Sequence, residues 1–496
     1  MFNNENLVFV AFVETKYSKN YLFNVLESIL EASVLSDVRG LPLTGENPKA
    51  VETFDATINE FLASGRDTGP LLQSLDEADP TLLMGVCLRG YLMKMANLQE
   101  WNEKSFDSLE RAKELSRAAT KREQQHVDAL EAWCTGNLKQ TVRIWDNILT
   151  EYPHDILALR LSHNMHFFLG DIWRMRDSLA RVLPNWDEGI DGYGFVLGCR
   201  CFALEEAGQY EEAEPLGRRA IDINENDIWA GHAVAHVLEM QGRRREGIDW
   251  ITKYQEPWRK RGVFSKHLWW HRALHYLEFN DVEAVINSFD KEFWAEPSED
   301  NIDICNSSSM LMRLDILGVN VKTRWETIAE IAMRRTKARL RPFDDLHFLM
   351  TLAMSERFVE AEELFSSMQD FVANSDKEEV TLNGVYEVAA IPVGQALISY
   401  AKGDYDTVVD IMIEARYSMR VLGGSWAQRD VWVRMLIDSA IKSGRTKVAI
   451  GLLAERLAAQ PSSAPSWHLY SKELGKIGAT LEAEKARLKG EGLLTQ

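Results

Sequence analysis

Apolar and polar positions along the chain recur in a regular unit, and a small residue in a polar turn marks each unit. Glycine occupies positions 136, 170, 208 and 242, at intervals of 34, 38 and 34 residues. An apolar segment rich in Ala, Leu and aromatic residues precedes each turn. An amphipathic segment follows it, as in residues 210–224, where Ala213 and Ala220 share one face. Equivalent turns follow at Asn280, Glu356–Arg357, Gly403 and Gly444.

The pattern predicts an all-α fold of helix–turn–helix repeats. Proline stands 17 residues after two of the turn glycines, at Pro153 after Gly136 and at Pro461 after Gly444, where it would end the second helix. Alternating Val, Ile and Thr runs typical of strands do not recur. We therefore expect tetratricopeptide-like repeats stacked into a right-handed α-solenoid, in which each unit buries its apolar face against its neighbours.

The clarity of the repeat divides the chain into five segments. Residues 1–47 are expected to form an N-terminal extension and loop, and 48–118 a degenerate helical region. Residues 119–300 carry clear tetratricopeptide-like repeats, and 301–339 are predicted to be an irregular helical connection. Residues 340–496 are predicted to contain further repeats and capping helices.

The composition and net charge of the chain restrict the kinds of partner that it is expected to bind. The formal net charge is −19 and the pI about 5.2, which argues against binding to nucleic acid or to an anionic membrane surface. Five cysteines without a CxxC pair indicate a reduced, cytoplasmic protein. The apolar segment Leu7–Val13 is too short to span a bilayer and lacks the features of a signal peptide. It could cap the solenoid, exchange with a second chain or mediate a homodimer.

Histidines at helical spacing are the main candidate chemistry. His232 and His236 lie four residues apart with Glu239 three further on, and His271, His275 and Glu278 repeat this spacing 39 residues later. Both sets fall in first helices, which line the concave groove of such a solenoid. His163, His166, His267 and His347 fall in equivalent helices and are further candidates for binding a ligand.

Three chemical uses fit these histidines, and packing in the repeat interface is the alternative to all of them. Imidazoles with a carboxylate can hold a divalent transition metal, for which His232, His236, His271 and His275 are the candidates. A His–Glu pair can act as a general acid and base. Ring N–H groups can also recognise a ligand directly. The pattern is not the metalloprotease HExxH, because Ala233 stands in the position of the glutamate.

Long motifs in this chain resemble the tetratricopeptide repeat protein 38 family, in particular its bacterial members. They include "DIWAGHAVAHVLEMQGRRREGIDWI" (227–251), "HLWWHRALHYLEFND" (267–281), "FDDLHFLMTLA" (343–353) and "GGSWAQRDVW" (423–432), and the resemblance spans about 38–465. The resemblance implies the fold, but the family has no defined substrate that it could suggest. It also adds four residues to the ligand-binding candidates: Asp345, Gln428, Arg429 and Asp430. Two departures are Trp426, where the family pattern has histidine, and the serines Ser307–Ser309 in place of an alanine-rich version.

Two functions follow as hypotheses. The first is a binding solenoid that holds a small molecule, a peptide or a partner protein in its concave groove. The alternative is an enzyme, of hydrolase or lyase type and metal-assisted, that uses the same cluster on a small molecule. In the enzyme His232, His236, His271 and His275 would be the catalytic centre, Glu239 its carboxylate partner and Trp270 a wall. An open groove would favour the first hypothesis and an enclosed pocket the second.

Overall fold

A computed structural model describes residues 35–262 and 264–494, and the segment Leu7–Val13 lies outside them. The described chain begins with a small hairpin in which β1 (Leu35–Ser36) pairs antiparallel with β2 (Pro42–Leu43), with Leu35 opposite Leu43. All the remaining regular structure described is helical. The predicted all-α solenoid of tetratricopeptide-like repeats is therefore confirmed.

The helices of the first half are α1 (Pro48–Leu62), α2 (Thr68–Ala78), α3 (Leu83–Met95), α4 (Gln99–Leu115), α5 (Lys121–Cys134), α6 (Leu138–Glu151), α7 (Ile156–Phe168), α8 (Ile172–Val182), α9 (Tyr193–Glu206), α10 (Tyr210–Ile223), α11 (Ile228–Met240) and α12 (Arg244–Lys253). Those of the second half are α13 (Gln255–Trp258), α14 (Phe264–Glu278), α15 (Val282–Ser288), α16 (Asn301–Ile316), α17 (Lys322–Ala332), α18 (Pro342–Met354), α19 (Phe358–Asn374), α20 (Thr381–Val385), α21 (Ile391–Ala401), α22 (Tyr405–Ala415), α23 (Trp426–Lys442), α24 (Thr446–Ala459), α25 (Ala464–Lys476) and α26 (Thr480–Leu494). Short 3-10 turns (Ser116–Ala118, Leu183–Asn185, Met333–Arg335, Met419–Leu422) and π-helical turns (Phe289–Phe293, Tyr386–Ala390) extend some of them.

The repeat turns adopt the left-handed backbone that their sequence predicts. Gly170 and Gly242 have φ of 65° and 71°, and Asn280 and Glu356 take the same conformation at 59° and 63° where the glycine is replaced. An aspartate can follow such a turn and begin the next helix: Asp171, directly after Gly170, accepts a hydrogen bond from the backbone N–H of Arg174 at the start of α8.

In the segment predicted to be an irregular helical connection, the structure has the helices α16 and α17, followed by the 3-10 turn Met333–Arg335. Ser307, Ser308 and Ser309 interrupt the apolar run of α16, and serine is a weak helix former. All three serines are buried. Their small size suits a helix that packs between α14, α18 and α23.

The C-terminal repeats pack across the concave side of the N-terminal ones. The guanidinium of Arg313 donates to the carbonyl of Ala427, and Arg434 in α23 pairs with Glu278 of α14 at 2.7 Å. Further along, Asn97 donates to Asp344 at 2.6 Å. These contacts hold the two halves together, and residues of both halves line a partly open cavity. No helix in 35–262 or 264–494 is both long and apolar enough to cross a membrane.

Candidate metal centre and ligand pocket

Four histidines from two neighbouring helices meet in one buried cluster. His232 and His236 lie one turn apart on α11, and His267 and His271 lie one turn apart on α14. We call these four residues the histidine centre. Each is at most 3% exposed, and one ring nitrogen from each lies within 4.8 Å of the others.

The Nε2 atoms of the histidine centre converge. Nε2 of His232 lies 2.9 Å from Nε2 of His236 and 3.1 Å from Nε2 of His267, and Nε2 of His271 lies 3.2 Å from Nε2 of His267. Tetrahedral coordination with bonds of about 2.0 Å places ligand nitrogens about 3.3 Å apart. The observed spacing therefore fits four nitrogens around one ion.

The Nδ1 atoms point away from the cluster, two of them towards acceptors at hydrogen-bond distance. Nδ1 of His271 lies 3.0 Å from Oε2 of Glu239, and Nδ1 of His267 lies 3.0 Å from Oδ1 of Asn306. Nδ1 of His236 lies 3.6 Å from Oε2 of Glu205, which is a longer contact. Nδ1 of His232 has no partner within the described residues. An acceptor at Nδ1 fixes the ring proton there and leaves the Nε2 lone pair free for a metal.

Burial sets the charge of the centre. It lowers the pKa of His232, His236 and His271 well below the usual value, and mutual repulsion among the rings adds to the effect. Burial also lowers the pKa of His267 to about 4. The imidazoles are thus neutral at pH 7, as metal ligands must be. Burial raises the pKa of Glu239 to about 8, although Arg313 opposes the shift.

His275 does not join the centre, although its sequence spacing made it a metal candidate. The 39-residue repeat suggested that His271 and His275 stand level with His232 and His236. The structure instead brings His267 level with His232, one turn earlier, and directs the ring of His275 to the space beside Gly247. The extra short helix α13 lies between α12 and α14 in the chain.

Trp270 lies beside the centre rather than on an open groove. It is fully buried, and its ring stacks on His267 with 5.4 Å between centroids and 12° between planes. The guanidinium of Arg313 lies 5.6 Å from the indole centroid on another side. Trp270 therefore supports the position of the His267 ring.

The remaining candidate histidines lie away from the four converging nitrogens. His163 packs edge-on against Phe202 and Trp229. His166 lies 3.5 Å from Asp146. Nδ1 of His347 donates to the carbonyl of Phe343 at 2.8 Å. Neither ring nitrogen of His163 or His166 has a hydrogen-bond partner among the described residues.

Polar candidates from the C-terminal half make contacts within that half. Asp345 pairs with Arg339 and accepts from Tyr386. Arg429 donates to the carbonyl of Gly424. Asp430 pairs with Arg434 at 2.6 Å and with Arg456 at 2.9 Å.

Gln428 and Trp426 mark the start of α23. Gln428 caps this helix together with Ser425, and it also borders the internal cavity. Trp426 lies beneath the guanidinium of Arg456, whose carbon is 5.7 Å from the ring centroid. Where the family pattern has histidine, this chain therefore has an aromatic surface that packs against an arginine.

An internal cavity of about 400 Å³ lies against the centre, with His232 and His267 in its wall. Its aromatic lining consists of Phe61, Phe167, Phe168, Trp229, Phe264 and Phe343. Its polar lining includes Arg160, Asn164, Asn301, Arg341, Asp344 and Gln428. A few polar groups in an enclosed, mainly apolar space are typical of small-molecule sites.

A larger surface depression of about 700 Å³ lies elsewhere, around Asn59 and Asp191. Asp191 there already accepts hydrogen bonds from Arg39 and Asn59. It offers no cluster of histidines, so we assign the site to the internal cavity.

Sequence reasoning missed several residues of this site. Arg160 and Asn164 stand four apart on α7, so the same helical spacing that revealed the histidines could have found them. Asn306 and Glu205 had no such signal, because each approaches a histidine from a helix remote in sequence.

No protein-family model matches the chain. Solved structures that are similar to it include a monomeric mutant of IFIT1 with Gppp-AAAA, at 13% identity, with coverage of 97% of this chain and 96% of that chain and a TM-score of 0.36. Yeast Tom70 matches at 15% identity, over 82% and 95% of the two chains, with a TM-score of 0.33. The APC/C hetero-tetramer Cut9-Hcn1 matches at 11% identity, over 90% and 87%, with a TM-score of 0.32.

Proposed function

We propose that this protein is a metal-dependent enzyme that acts on a small molecule bound in the internal cavity. The observation that carries the proposal is the convergence of four Nε2 atoms, with neighbouring pairs 2.9 to 3.2 Å apart. When Nδ1 carries the ring proton, each Nε2 presents a lone pair. Lone pairs at this distance repel one another unless a cation lies between them.

The donor set indicates the class of ion. Four neutral imidazoles without a thiolate suit Zn²⁺, Fe²⁺, Cu²⁺ or Ni²⁺ rather than Mg²⁺ or Ca²⁺, which prefer oxygen ligands. Because four imidazoles already complete a tetrahedron, such an ion would need a further coordination position to act as a Lewis acid towards a substrate group or a water molecule. The reaction class we favour is hydrolytic or lyase-type.

The chain's own residues divide into three roles in this proposal. His232 and His267 border the cavity, so they would hold the ion where a substrate can reach it. His236 and His271 complete the set from behind. Glu239 and Asn306 would accept the Nδ1 protons of His271 and His267 and keep the rings oriented.

A small molecule is the occupant we favour over a peptide or partner protein. Residues of both halves line the cavity, which is partly open, and its volume of about 400 Å³ is in the range of small-molecule sites. Membership of the tetratricopeptide repeat protein 38 family is part of this proposal, on the strength of the motifs around the histidines.

A metal-free ligand site is the second candidate, and the pKa of Glu239 supports it. Since burial raises that pKa to about 8, the carboxyl can carry a proton at pH 7 and donate it to Nδ1 of His271. Each Nε2–H could then donate to the next ring. The centre would be a chain of hydrogen bonds suited to acid–base chemistry.

Metal analysis of the full-length, tag-free protein distinguishes the two. After dialysis, elemental analysis should find a near-stoichiometric transition metal per chain. His267→Gln should lose it, because Nε2 of His267 belongs to the converging set. His275→Gln is the matched control: His275 is equally buried on the same helix, so this variant should keep the metal.

Circular dichroism and thermal unfolding must first show that both variants fold. A metal-free wild type that stays metal-free after incubation with Zn²⁺, Fe²⁺, Cu²⁺ or Ni²⁺ would contradict the metal proposal and favour the hydrogen-bonded centre. Equal loss of metal in both variants would mean that the ligand set is wrong.

A further inference from the structure

The cavity beside the histidine centre contains a cation without a carboxylate partner. Arg160 is 6% exposed and lines the cavity. Its Nη1 donates to Sγ of Cys199 at 3.5 Å, and its guanidinium carbon lies 4.0 Å from the centroid of the Trp229 ring. Within 35–262 and 264–494, no carboxylate oxygen lies within 4.0 Å of its nitrogens. Burying an unpaired charge is unfavourable, so an incoming anion would be strongly attracted.

The other cavity arginine is already neutralised. Arg341 makes a two-pronged interaction with Asp344, at 2.8 and 2.7 Å, and Asp300 lies close enough to influence its charge. Both aspartates border the same cavity. Burial raises the pKa of Asp227, and the charge of Arg160 is close enough to oppose that shift. Among the described residues, however, no carboxylate pairs directly with Arg160, which is therefore the cavity arginine without an ion pair.

A second polar side chain of α7, the amide of Asn164, lines the cavity together with Arg160. Asn164 follows Arg160 by four residues on α7 and lines the cavity at 8% exposure. Its side chain makes no hydrogen bond to another described residue. Phe167, one turn further on, adds an aromatic face. Along α7, a charged donor (Arg160), a neutral amide donor (Asn164) and an aromatic ring (Phe167) therefore follow one another at the cavity.

Trp229 joins this anchor to the histidine centre. Its ring lies beneath Arg160 on one side, and its centroid is 5.3 Å from that of His232. Phe264 stands 5.4 Å from the Trp229 ring and 5.1 Å from the His232 ring. A ligand held at Arg160 would pass along aromatic side chains before it reaches His232 and His267.

We infer that the ligand is a monocarboxylate with a flat apolar body, held by its carboxylate at Arg160 and Asn164. The assignment of its far end to His232 and His267 rests on the proposed function, but the anchor does not. A guanidinium fork matches the two oxygens of a carboxylate. A phosphate dianion fits less well, because only one uncompensated cation is present and Asp300 and Asp344 share the cavity.

The test compares two probes of the same shape, 2-naphthoate and its uncharged amide, 2-naphthamide, by calorimetric titration of the full-length protein. Charge-assisted hydrogen bonds predict that naphthoate binds at least about 10-fold more tightly. Arg160→Gln should abolish this preference, and Arg160→Lys should keep part of it. Arg174→Gln, at an arginine with 68% side-chain exposure, is the control and should bind as the wild type does.

Equal affinity for the two probes, no binding of either, or an unchanged preference in Arg160→Gln would overturn the inference. If Arg160→Gln fails to fold, Arg160→Lys and Asn164→Leu carry the test, and both should reduce the preference. The metal assay is independent of this result. A preference for naphthoate in a metal-free protein would support the anchor and contradict the metal centre, and a metal-loaded protein without the preference would do the reverse.

Discussion

Replacement of Glu278 tests the closure that turns the groove into a cavity. Its carboxylate lies 2.7 Å from Arg434 of α23 and 3.8 Å from Arg244 of α12, and its side chain is 7% exposed. Burial raises its pKa, but attraction to Arg434, Arg456 and Arg244 outweighs burial, so the net shift is downward. The charged form is therefore the one that the folded state stabilises.

Glu278→Gln keeps the shape and removes the charge. Breaking a buried ion pair from one side costs about 3 to 5 kcal/mol. We expect the lower end, about 3 kcal/mol, because Asp430 remains 2.6 Å from Arg434 and compensates part of its charge. Urea unfolding followed by tryptophan fluorescence measures the change, and hydrogen exchange should rise at α23, which Glu278 holds against α14.

Glu151→Gln is the matched control. Glu151 pairs with Lys121 at 2.7 Å, but the two side chains are 45% and 65% exposed, so its loss should cost no more than about 0.5 kcal/mol. If Glu278→Gln costs as little as the control, the closing contacts do not stabilise the fold and the reasoning is refuted.

Three further outcomes follow from the same structure. Glu239→Gln should weaken metal affinity about 10- to 100-fold in a chelator competition, since it disturbs the Nδ1 partner of a ligand histidine; unchanged affinity would remove Glu239 from the centre. Gly231→Ala should lower the free energy of unfolding by about 1 to 3 kcal/mol, because the added methyl would lie 2.2 Å from Trp258. In Gly451→Ala the added methyl meets no atom within 4 Å, so this variant should raise the free energy of unfolding by up to about 1 kcal/mol. Equal effects of Gly231→Ala and Gly451→Ala would contradict the close packing of Gly231 against Trp258. Burial lowers the pKa of His347 to about 4, below the pKa of 6.5 that histidine has in the unfolded chain. Its contribution to stability is therefore complete above pH 6.5 and is lost as the pH falls towards 4. At pH 5 the loss is about 2 kcal/mol, and His347→Gln should show a correspondingly smaller loss between pH 7 and 5 in urea unfolding.

The sequence predicted the parts of this molecule that depend on local spacing. The turn glycines, and the placement of His232 and His236 on one face of one helix, follow from helical periodicity and the repeat length. The choice of His267 over His275 does not follow, because it depends on how α14 is aligned against α11.

The closure could not be predicted from spacing either. Glu278 and Arg434 lie 156 residues apart, and nothing local in either segment indicates the other. The enclosed cavity, and with it the cavity position of Arg160, results from such contacts between remote repeats.

Anomalous diffraction from crystals grown with the native metal or with Zn²⁺ would locate the metal ion directly. We expect one anomalous peak between the Nε2 atoms of His232, His236, His267 and His271, at about 2.0 to 2.1 Å from each. An absence of any peak there, with the four rings joined by N–H···N hydrogen bonds in metal-soaked crystals, would contradict it.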